Sequence, residues 1–418
     1  MSKFLPLFLL AIISWPGYTQ VIMLSADRLF DGHKMHENWA VLVEDDKIIS
    51  VGPAKHVKSR ADSKLIFEGG TLMPGTTDGH SHVLQYPYDQ TDWNDQVLKE
   101  SRSLRAIRGT KMAERNLIAG FTTIRDLGSE GAEYADVAIK ESIELGITNG
   151  PRMLVAGKAI VATGSYGPKG FHSDVHVPLG AEAADGEDLI RVVRDQIGKG
   201  ADFIKVYADY RWGPEGEAMP TFSLEELESI VKTAKSSGRE VVAHAVTEEG
   251  MRRATLAGVV SIEHGTHGTG EVFRLMKERN VALCPTLAAT HAITQYRGWN
   301  GKKPEPQAIL DKRESFRLAL QNGVEIVAGG DVGVFPHGEN ARELILMSEY
   351  GMDNLEILKS VTSVNARVFK LNRLGELKEE FLADIIVVNG DPVKEIKSLT
   401  NVEFVMKSGK VYLNNNDN

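Results

Sequence analysis

Four histidines and one aspartate stand where apolar, strand-like runs of the sequence end. His80 and His82 are two residues apart at the end of the first run, and residues i and i+2 of a strand point to the same face. His264, His244 and Asp331 lie at the ends of three later runs. Imidazole and carboxylate groups are ligands that zinc and related divalent ions prefer. These side chains predict a metal site if the fold brings the four strand ends together.

Lys205 is a sixth candidate, and it lies inside the apolar run 203–207, where its neighbours should partly bury it. A protonated ammonium at a metal site would repel a divalent ion. A lysine carboxylated by CO₂ would instead present two oxygens that can bridge two ions. The alternative is a lysine that merely extends toward solvent from the end of a strand.

Along the chain, strand-like patterns of apolar residues alternate with helix-like ones, and these elements must position the candidate residues. Strand-like runs occur at 71–82, 122–127, 152–156, 203–207, 240–246, 261–264, 281–287 and 325–331, and helix-like segments follow them. In the helix predicted after the fourth run, Ser223 and Glu226 have the spacing of a capping box. Leu224, Leu227 and Ile230 then fall on one face of that helix. The alternation predicts parallel strands with helices outside them.

We therefore predict an α/β fold, a (β/α)₈ TIM barrel over residues 75–371. Catalytic groups of such barrels lie at the carboxyl ends of the strands, where the candidate ligands are placed. Short strands and turns in 20–74 and 372–418 predict a small composite β-sandwich domain made by both terminal segments. A doubly wound open sheet is the alternative, but the glycine-rich phosphate turn typical of that fold is missing after the first strand.

Composition excludes several classes of protein. The chain has 418 residues, and its 48 Lys and Arg against 57 Asp and Glu give a formal net charge of −9. Since no basic tract accompanies this balance, we expect no nucleic-acid partner. The only cysteine, Cys284, excludes an internal disulfide framework and a zinc site built from cysteines.

Residues 1–19 have the layout of a secretory signal peptide. Lys3 supplies a positive start, residues 4–13 are apolar, and Gly17, Tyr18 and Thr19 give a small-x-small cleavage site. The alternative is an uncleaved anchor, but the apolar run is much shorter than the roughly 20 residues of a spanning helix. We expect an exported protein, periplasmic or secreted, without stable membrane insertion after cleavage.

Several motifs together resemble those of the amidohydrolase superfamily. The resemblance extends over nearly all of the chain after the signal peptide, and within the superfamily it is to the branch of imidazolonepropionase-like proteins, Xaa-Pro dipeptidases and ochratoxin-type amidases. The motifs that carry it are Pro74-Gly-Thr-Thr-Asp-Gly-His-Ser-His82, Thr122-Thr-Ile-Arg-Asp126, Ile204-Lys205-Val206, Ala243-His244-Ala245, Ile262-Glu-His-Gly265, Gly329-Gly-Asp331 and the tail Ala383-Asp-Ile-Ile-Val-Val-Asn-Gly-Asp-Pro392.

The resemblance implies two divalent metal ions, with zinc as the default and manganese or cobalt as substitutes. The implied ligands are His80, His82 and Asp331 for the more buried ion, His244 and His264 for the other, and N6-carboxylated Lys205 as the bridge between them.

The resemblance further implies hydrolysis of an amide or peptide bond by a hydroxide that the two ions share. Asp331 would take the hydroxide proton and pass it to the leaving amine, which makes it the implied catalytic residue. Mononuclear deaminases of the superfamily usually lack the bridging lysine, so Lys205 favours hydrolysis of a small amide, such as a dipeptide or an N-acyl amino acid. Relatives often form symmetric assemblies, and a homo-oligomer is expected.

The sequence departs from the dipeptidase pattern at two substrate-facing positions. Dipeptidases of this branch often carry Thr-Gly-Gly-His-Gly after strand three, where this chain has Thr163-Gly-Ser-Tyr-Gly167. Val246 stands two residues past His244, where those dipeptidases have a tyrosine. Tyr166 could replace the missing imidazole as a hydrogen-bond donor to a substrate carbonyl. The predicted substrate-contacting residues are Tyr166, His172, Arg211 and His291.

Two alternatives stay open from the sequence. One is a mononuclear cyclic-amide hydrolase or deaminase of the same superfamily, which would bind one ion and retain activity without Lys205. The other is a catalytically silent scaffold that has lost metal binding. Occupation of all six ligand positions argues against the scaffold.

Overall fold

The computed structural model describes residues 20–57, 61–172, 174–302 and 304–416. The predicted signal peptide, residues 1–19, lies outside the described residues. None of the described helices is long and apolar enough to cross a bilayer. The described strands are β1 Ile22–Phe30, β2 Met35–Glu37, β3 Trp39–Glu44, β4 Lys47–Pro53, β5 Ser63–Pro74, β6 Thr76–Ser81, β7 Phe121–Asp126, β8 Arg152–Val155, β9 Ile160–Val161, β10 Glu182–Ala183, β11 Ile204–Tyr207, β12 Asp209–Arg211, β13 Ala218–Pro220, β14 Val241–Ala245, β15 Ser261–His264, β16 Ala282–Cys284, β17 Ile385–Asn389, β18 Val402–Lys407 and β19 Lys410–Asn414.

Helices follow most of the central strands, which confirms the predicted α/β class. The described α-helices are α1 Ala54–Val57, α2 Trp93–Leu98, α3 Arg102–Ile118, α4 Ala135–Glu144, α5 Asp188–Gly198, α6 Leu224–Lys235, α7 Glu248–Ala257, α8 Gly270–Glu278, α9 Leu287–Tyr296, α10 Gln307–Gln321, α11 Ala341–Glu349, α12 Asn354–Lys359 and α13 Asn365–Val368. Ser223 and Glu226 form the predicted capping box at the start of α6, and Leu227, Ile230 and Val231 face the core.

Both ends of the chain contribute to one eight-stranded sheet. Its order is β19-β18-β17-β5-β1-β3-β4, with β2 paired to β1. At its centre β5 runs parallel to β1 and antiparallel to β17, with Leu72 opposite Val387. Leu24, Val41 and Phe404 lie with them in a separate apolar core. Strands from both terminal segments thus share one sheet, whereas the composite β-sandwich domain and its bounds stay a prediction.

The central strands form a parallel ring. β6, β7 and β8 pair in one section, and β10, β9, β11, β14, β15 and β16 in another. Parallel bridges from Leu283 to Ile326 and from Ser81 to Val332 connect β16 to the stretch 326–332 and that stretch back to β6. On the other side, the main-chain nitrogen of Asp202, just before β11, donates to the Val155 carbonyl of β8 at 2.8 Å. The carboxyl ends of the strands therefore meet at one rim, as in barrel enzymes.

The first predicted strand, 71–82, is divided in the structure. β5 ends at Pro74 in the terminal sheet, and β6 begins at Thr76 in the ring. Gly75 lies between them, and a Cβ at that position would be 2.2 Å from Thr122 Oγ1. Only a glycine can pass this close to β7, so the switch between the two sheets occurs here.

The eighth predicted strand, 325–331, is reduced to isolated bridges. A Cβ on Gly329 would lie 2.5 Å from the main-chain nitrogen of His80. Gly79 and Asp331 nevertheless donate main-chain hydrogen bonds to Ala328 and His80, each at 2.8 Å. The stretch therefore closes the ring by close backbone contact and carries Asp331 to the rim beside β6.

A buried carboxylate joins the terminal sheet to the ring. Asp384 is 4% exposed, and it accepts hydrogen bonds from Arg152 at 2.8 Å and from the main-chain nitrogen of Ser408 at 2.9 Å. Arg152 also donates to Ser408 Oγ at 3.0 Å. Arg152 begins β8 of the ring, so this cluster connects the two parts of the molecule.

We expect Asp384→Ala to lower the free energy of unfolding by about 2–3 kcal/mol, because it leaves Arg152 and the Ser408 amide without their acceptor. Urea denaturation measures the change. Glu314→Ala is the matched control, since within the described residues Glu314 pairs with Arg317 alone, on an exposed helix surface, and its loss should leave the free energy of unfolding close to that of the wild type. Equal, small losses in both variants would contradict a joining role for Asp384.

Candidate metal centre and substrate cavity

Three of the predicted ligands converge at the rim beside β6. Asp331 Oδ1 lies 3.6 Å from His80 Nε2 and 3.4 Å from His82 Nε2. One ligand atom from each of the three residues falls within 4.8 Å of the others, a spacing that suits a single ion. Two imidazole nitrogens and a carboxylate oxygen are a donor set that fits zinc.

The other two histidines continue the same cluster. The His244 and His264 rings have centroids 4.4 Å apart, and the His264 and His80 centroids are 5.1 Å apart. Burial lowers the pKa of His80, His244 and His264 well below its usual value, and neighbouring positive groups lower it further. The imidazoles are therefore neutral at pH 7, which is the form that binds a metal.

Lys205 lies beneath these histidines and is 1% exposed. β11 places it opposite Val242 of β14, in register with the strand that carries His244. Its positive charge is among the causes that lower the pKa of His80 and His244. Within the described residues its ammonium has no hydrogen bond or ion pair, and the nearest aromatic contact is the Tyr207 ring at 5.5 Å. Burial lowers the pKa of Lys205 itself.

Hydrogen bonds to the second ring nitrogen fix the orientation of three histidines. His80 Nδ1 donates to Glu263 at 2.8 Å, and His82 Nδ1 donates to the Gly128 carbonyl at 2.9 Å. His264 Nδ1 is 2.8 Å from Thr286 Oγ1. Each bond leaves Nε2 available for an ion, which is how metal-binding histidines are usually held.

Glu263 is the most buried of these supports, with an exposure of 0%. Besides His80 it accepts hydrogen bonds from Arg125 Nη2 at 2.8 Å and from Ser261 Oγ at 2.5 Å. The sequence analysis did not select Glu263, although its position directly before His264 placed it at the same strand end.

Three residues at the rim adopt a left-handed backbone that non-glycine residues rarely adopt. The φ angles are 76° at His264, 49° at Thr286 and 63° at Asp331. Such conformations cost of order 1–3 kcal/mol each and persist where the surroundings hold them. Lys312 is one such support, because its buried ammonium donates to the His264 carbonyl at 2.7 Å.

A cavity of about 440 Å³ opens onto the cluster. Tyr166 and Arg211, both predicted to contact substrate, line it. Tyr166 is buried, whereas Arg211 is exposed at the mouth. Other lining residues are His80, His82, Gln85, Tyr88, Trp93, Glu130, Tyr207, Tyr210, His244, Val246, His264, Thr286, Thr290, Ile293 and Asp331.

The other two predicted contacts lie elsewhere. His172 is exposed, with its closest charged partner Asp174 at 3.4 Å. His291 sits on α9, where its Nδ1 accepts a hydrogen bond from Arg342 at 2.7 Å, and it lines a separate groove. In this structure neither side chain lines the cavity over the predicted metal ligands.

Glu130 is a cavity residue that the sequence analysis missed. It is 2% exposed and has a left-handed backbone with φ 46°. Burial raises the pKa of its carboxyl group. The signal available in the sequence was weak, namely an acidic residue between Gly128 and Gly131, shortly after the end of β7.

The ring of parallel strands, the side chains at its rim and the cavity above them together define an α/β-barrel enzyme with a candidate histidine–aspartate metal site. Residues 71–412 match the sequence profile of the Amidohydrolase family, and the chain belongs to this family. The resemblance inferred from the motifs is thereby confirmed. The chain is a hydrolase that acts on amide C–N bonds, as predicted.

Relatives of known structure or activity extend over nearly the whole chain. Ochratoxinase of Aspergillus niger is 30% identical, with 96% of this chain and 88% of that protein aligned. A crystal structure of a Xaa-Pro dipeptidase with methionine bound in its active site superposes with a TM-score of 0.84 at 29% identity, covering 94% of this chain and 100% of the other. The A. niger ochratoxinase structure gives a TM-score of 0.81 at 26% identity, over 95% and 96% of the two chains.

We expect Glu263→Gln to weaken zinc binding about 10- to 100-fold, because a neutral amide holds His80 and Arg125 less firmly. Competition with a chromogenic chelator measures the affinity. Glu271→Gln on the exposed side of α8 is the matched control and should leave the affinity unchanged. Unaltered zinc affinity in the Glu263 variant would refute its role in holding the ligand.

Proposed function

We propose that the protein is a binuclear metal-dependent hydrolase of amide or peptide bonds in small substrates such as dipeptides or N-acyl amino acids. The observation that carries the proposal is the convergence of four imidazoles, one carboxylate and one buried lysine at a single rim. The family and its ochratoxinase and dipeptidase relatives support the bond type.

In this proposal the two ions, zinc by default, share six ligand residues. The ligands would be His80, His82 and Asp331 for one ion, His244 and His264 for the other, and carboxylated Lys205 between them. Divalent ions bound there would lower the pKa of water and polarise a substrate carbonyl, which are the two requirements for attack on an amide.

Carboxylation of Lys205 needs an unprotonated amine, since its lone pair forms the new bond to the carbon of CO₂ and a proton is released. Burial is the largest effect on this amine and lowers its pKa, while the charges of the Glu263, Asp331 and Glu130 carboxylates offset part of that shift. Within the described residues no ion pair or hydrogen bond holds its proton. The resulting carbamate would convert a positive charge among the histidines into a negative one, which favours binding of cations.

Asp331 is the proposed proton carrier. It lies at the cavity wall beside His80 and His82, and burial raises its pKa to about 6. This carboxylate can accept a proton from the attacking water and return it to the nitrogen of the leaving amine. The left-handed backbone at Asp331 directs this carboxylate toward the rim.

The cavity limits the size of the substrate. A volume of about 440 Å³ accommodates a small molecule, and the wall contains several aromatic side chains. Tyr166 and Arg211 are the proposed substrate contacts among the residues chosen from sequence. Tyr166 already donates a hydrogen bond to Glu130 at 2.6 Å, so its hydroxyl would serve a substrate only by sharing or exchanging that bond.

We expect about two zinc ions per chain by elemental analysis, and loss of amide hydrolysis when a chelator removes them. Lys205→Ala should bind one ion or fewer and lose at least about 100-fold in kcat, because the bridge between the ion sites is gone. Short carboxylic acids that fit the vacated space should restore part of the activity.

Lys232→Ala, an exposed lysine on α6, is the matched control and should behave as the wild type. One ion per chain with full activity in Lys205→Ala would instead favour the mononuclear cyclic-amide hydrolase or deaminase. Protein that binds no metal at all would favour the silent scaffold.

We also propose export to the periplasm or the medium, supported by the signal-peptide pattern of residues 1–19. Expression of the full chain should yield a mature protein that begins at about residue 20, as read by N-terminal sequencing of the exported fraction. A retained, uncleaved N-terminus would contradict this proposal. A homo-oligomer is proposed on the resemblance alone, and light scattering would measure it.

A further inference from the structure

The nearly buried Glu130 carboxylate lies in the wall of the cavity. Its Oε2 accepts hydrogen bonds from Tyr166 at 2.6 Å and from Trp93 Nε1 at 3.0 Å. Among the described residues, its Oε1 accepts one long hydrogen bond, from the Tyr207 hydroxyl at 3.4 Å. Since a carboxylate oxygen can accept more than one hydrogen bond, Oε1 retains acceptor capacity on the cavity side.

This carboxylate lacks a cationic partner within the described part of the chain. Arg105 is the nearest candidate, but its guanidinium donates to the main-chain carbonyl of Glu130, at 2.6 Å, and forms no ion pair with the side chain. Trp93 and Tyr166 are neutral donors. Buried carboxylates are normally paired with a cation or bound to a metal, because an isolated buried charge is costly.

Aromatic rings surround the same end of the cavity. The centroid of Tyr166 lies 5.5 Å from that of Trp93 and 4.8 Å from those of Tyr207 and Tyr210. Trp93, Tyr166, Tyr207 and Tyr210 together form an aromatic box. The faces of such rings attract cations, and the Glu130 carboxylate beside them strengthens the attraction.

The box adjoins the metal ligands directly. The Tyr207 ring stacks on His244 with centroids 4.5 Å apart, while its hydroxyl contacts Glu130. One aromatic ring thus separates the carboxylate from a proposed ligand. A group bound at Glu130 and a carbonyl at the metal centre can therefore belong to one small molecule.

We propose that Glu130 binds a protonated amino group carried by the acyl part of the substrate. This inference rests on the proposed function and narrows it, since it favours aminoacyl amides such as dipeptides with a free amine over N-acylated amino acids. A neutral aromatic acyl group would fit the rings but would leave the buried carboxylate without a partner.

The test compares amides that share a leaving group and a carbon skeleton but differ at one substituent. An alanyl amide is paired with a lactyl amide, and a lysyl amide with a norleucyl amide, so that both α- and ε-amino groups are sampled. With zinc-loaded wild type we expect kcat/KM for the alanyl amide to exceed that of the lactyl amide, or kcat/KM for the lysyl amide to exceed that of the norleucyl amide, which lacks only the ε-amino group, roughly 10- to 100-fold. Glu130→Gln, which preserves size, should reduce that ratio at least about tenfold, and comparing ratios cancels intrinsic reactivity.

Asp95→Asn is the matched control, because the Asp95 carboxylate on α2 pairs with Lys99 at 2.6 Å on the surface and does not line the cavity. It should leave the ratio as in the wild type. An equal loss on both members of each pair in Glu130→Gln would indicate a structural role and overturn the inference. An equal change of the ratio in Asp95→Asn would indicate a long-range effect of charge and would also overturn it.

Inhibition of the wild type gives a second measurement that requires no variant. Alkylammonium ions should inhibit hydrolysis of the alanyl or lysyl amide more strongly than alcohols of the same length, and equal inhibition would refute the inference. The inference alone would be overturned if the wild type cleaved the lactyl amide with the same kcat/KM as the alanyl amide and the norleucyl amide with the same kcat/KM as the lysyl amide. Wild type that cleaves none of the four amides would remove the proposed function, and this inference with it.

Discussion

The arrangement of the site depends on one buried carboxylate, Glu263. It lies on β15, accepts a hydrogen bond from His80 on β6, and is neutralised by Arg125 on β7. Three strands distant in sequence are thereby held by one group that has no contact with water. A buried charge of this kind is stable only when its partners, His80 and Arg125, are in place. The orientation of His80 and the closure of the ring therefore stabilise each other.

A second constraint is the close approach of backbones where the ring closes. Gly75 lets β6 lie against β7, and Gly329 lets the last stretch lie against His80. These contacts leave no freedom for Asp331, whose left-handed backbone is held by main-chain hydrogen bonds to β6. The strained backbone of Asp331 is thus held by the close packing of the strands beneath it, as expected where a carboxylate must keep a fixed direction.

Much of the site could be predicted from sequence because strand ends in a parallel barrel meet at one rim. The residue types at those ends, such as His244 and His264, then sufficed to group the candidate ligands. What could not be predicted depends on the path of irregular chain. Glu130 carries no periodic signal, and the positions of His172 and His291 follow from loop and helix packing. The division of the first strand at Gly75 depends on contact with Thr122, a tertiary effect.

The central pairing of β5 with β17 also affects how the chain is made. β5 is synthesised long before β17, β18 and β19, because helices and strands of the whole central ring lie between them in the chain. Until then the apolar edge of β5 has no neighbour on that side and could pair with other chains. The shared sheet therefore cannot form until β17 has been synthesised, and until then the nascent chain is open to aggregation through this edge.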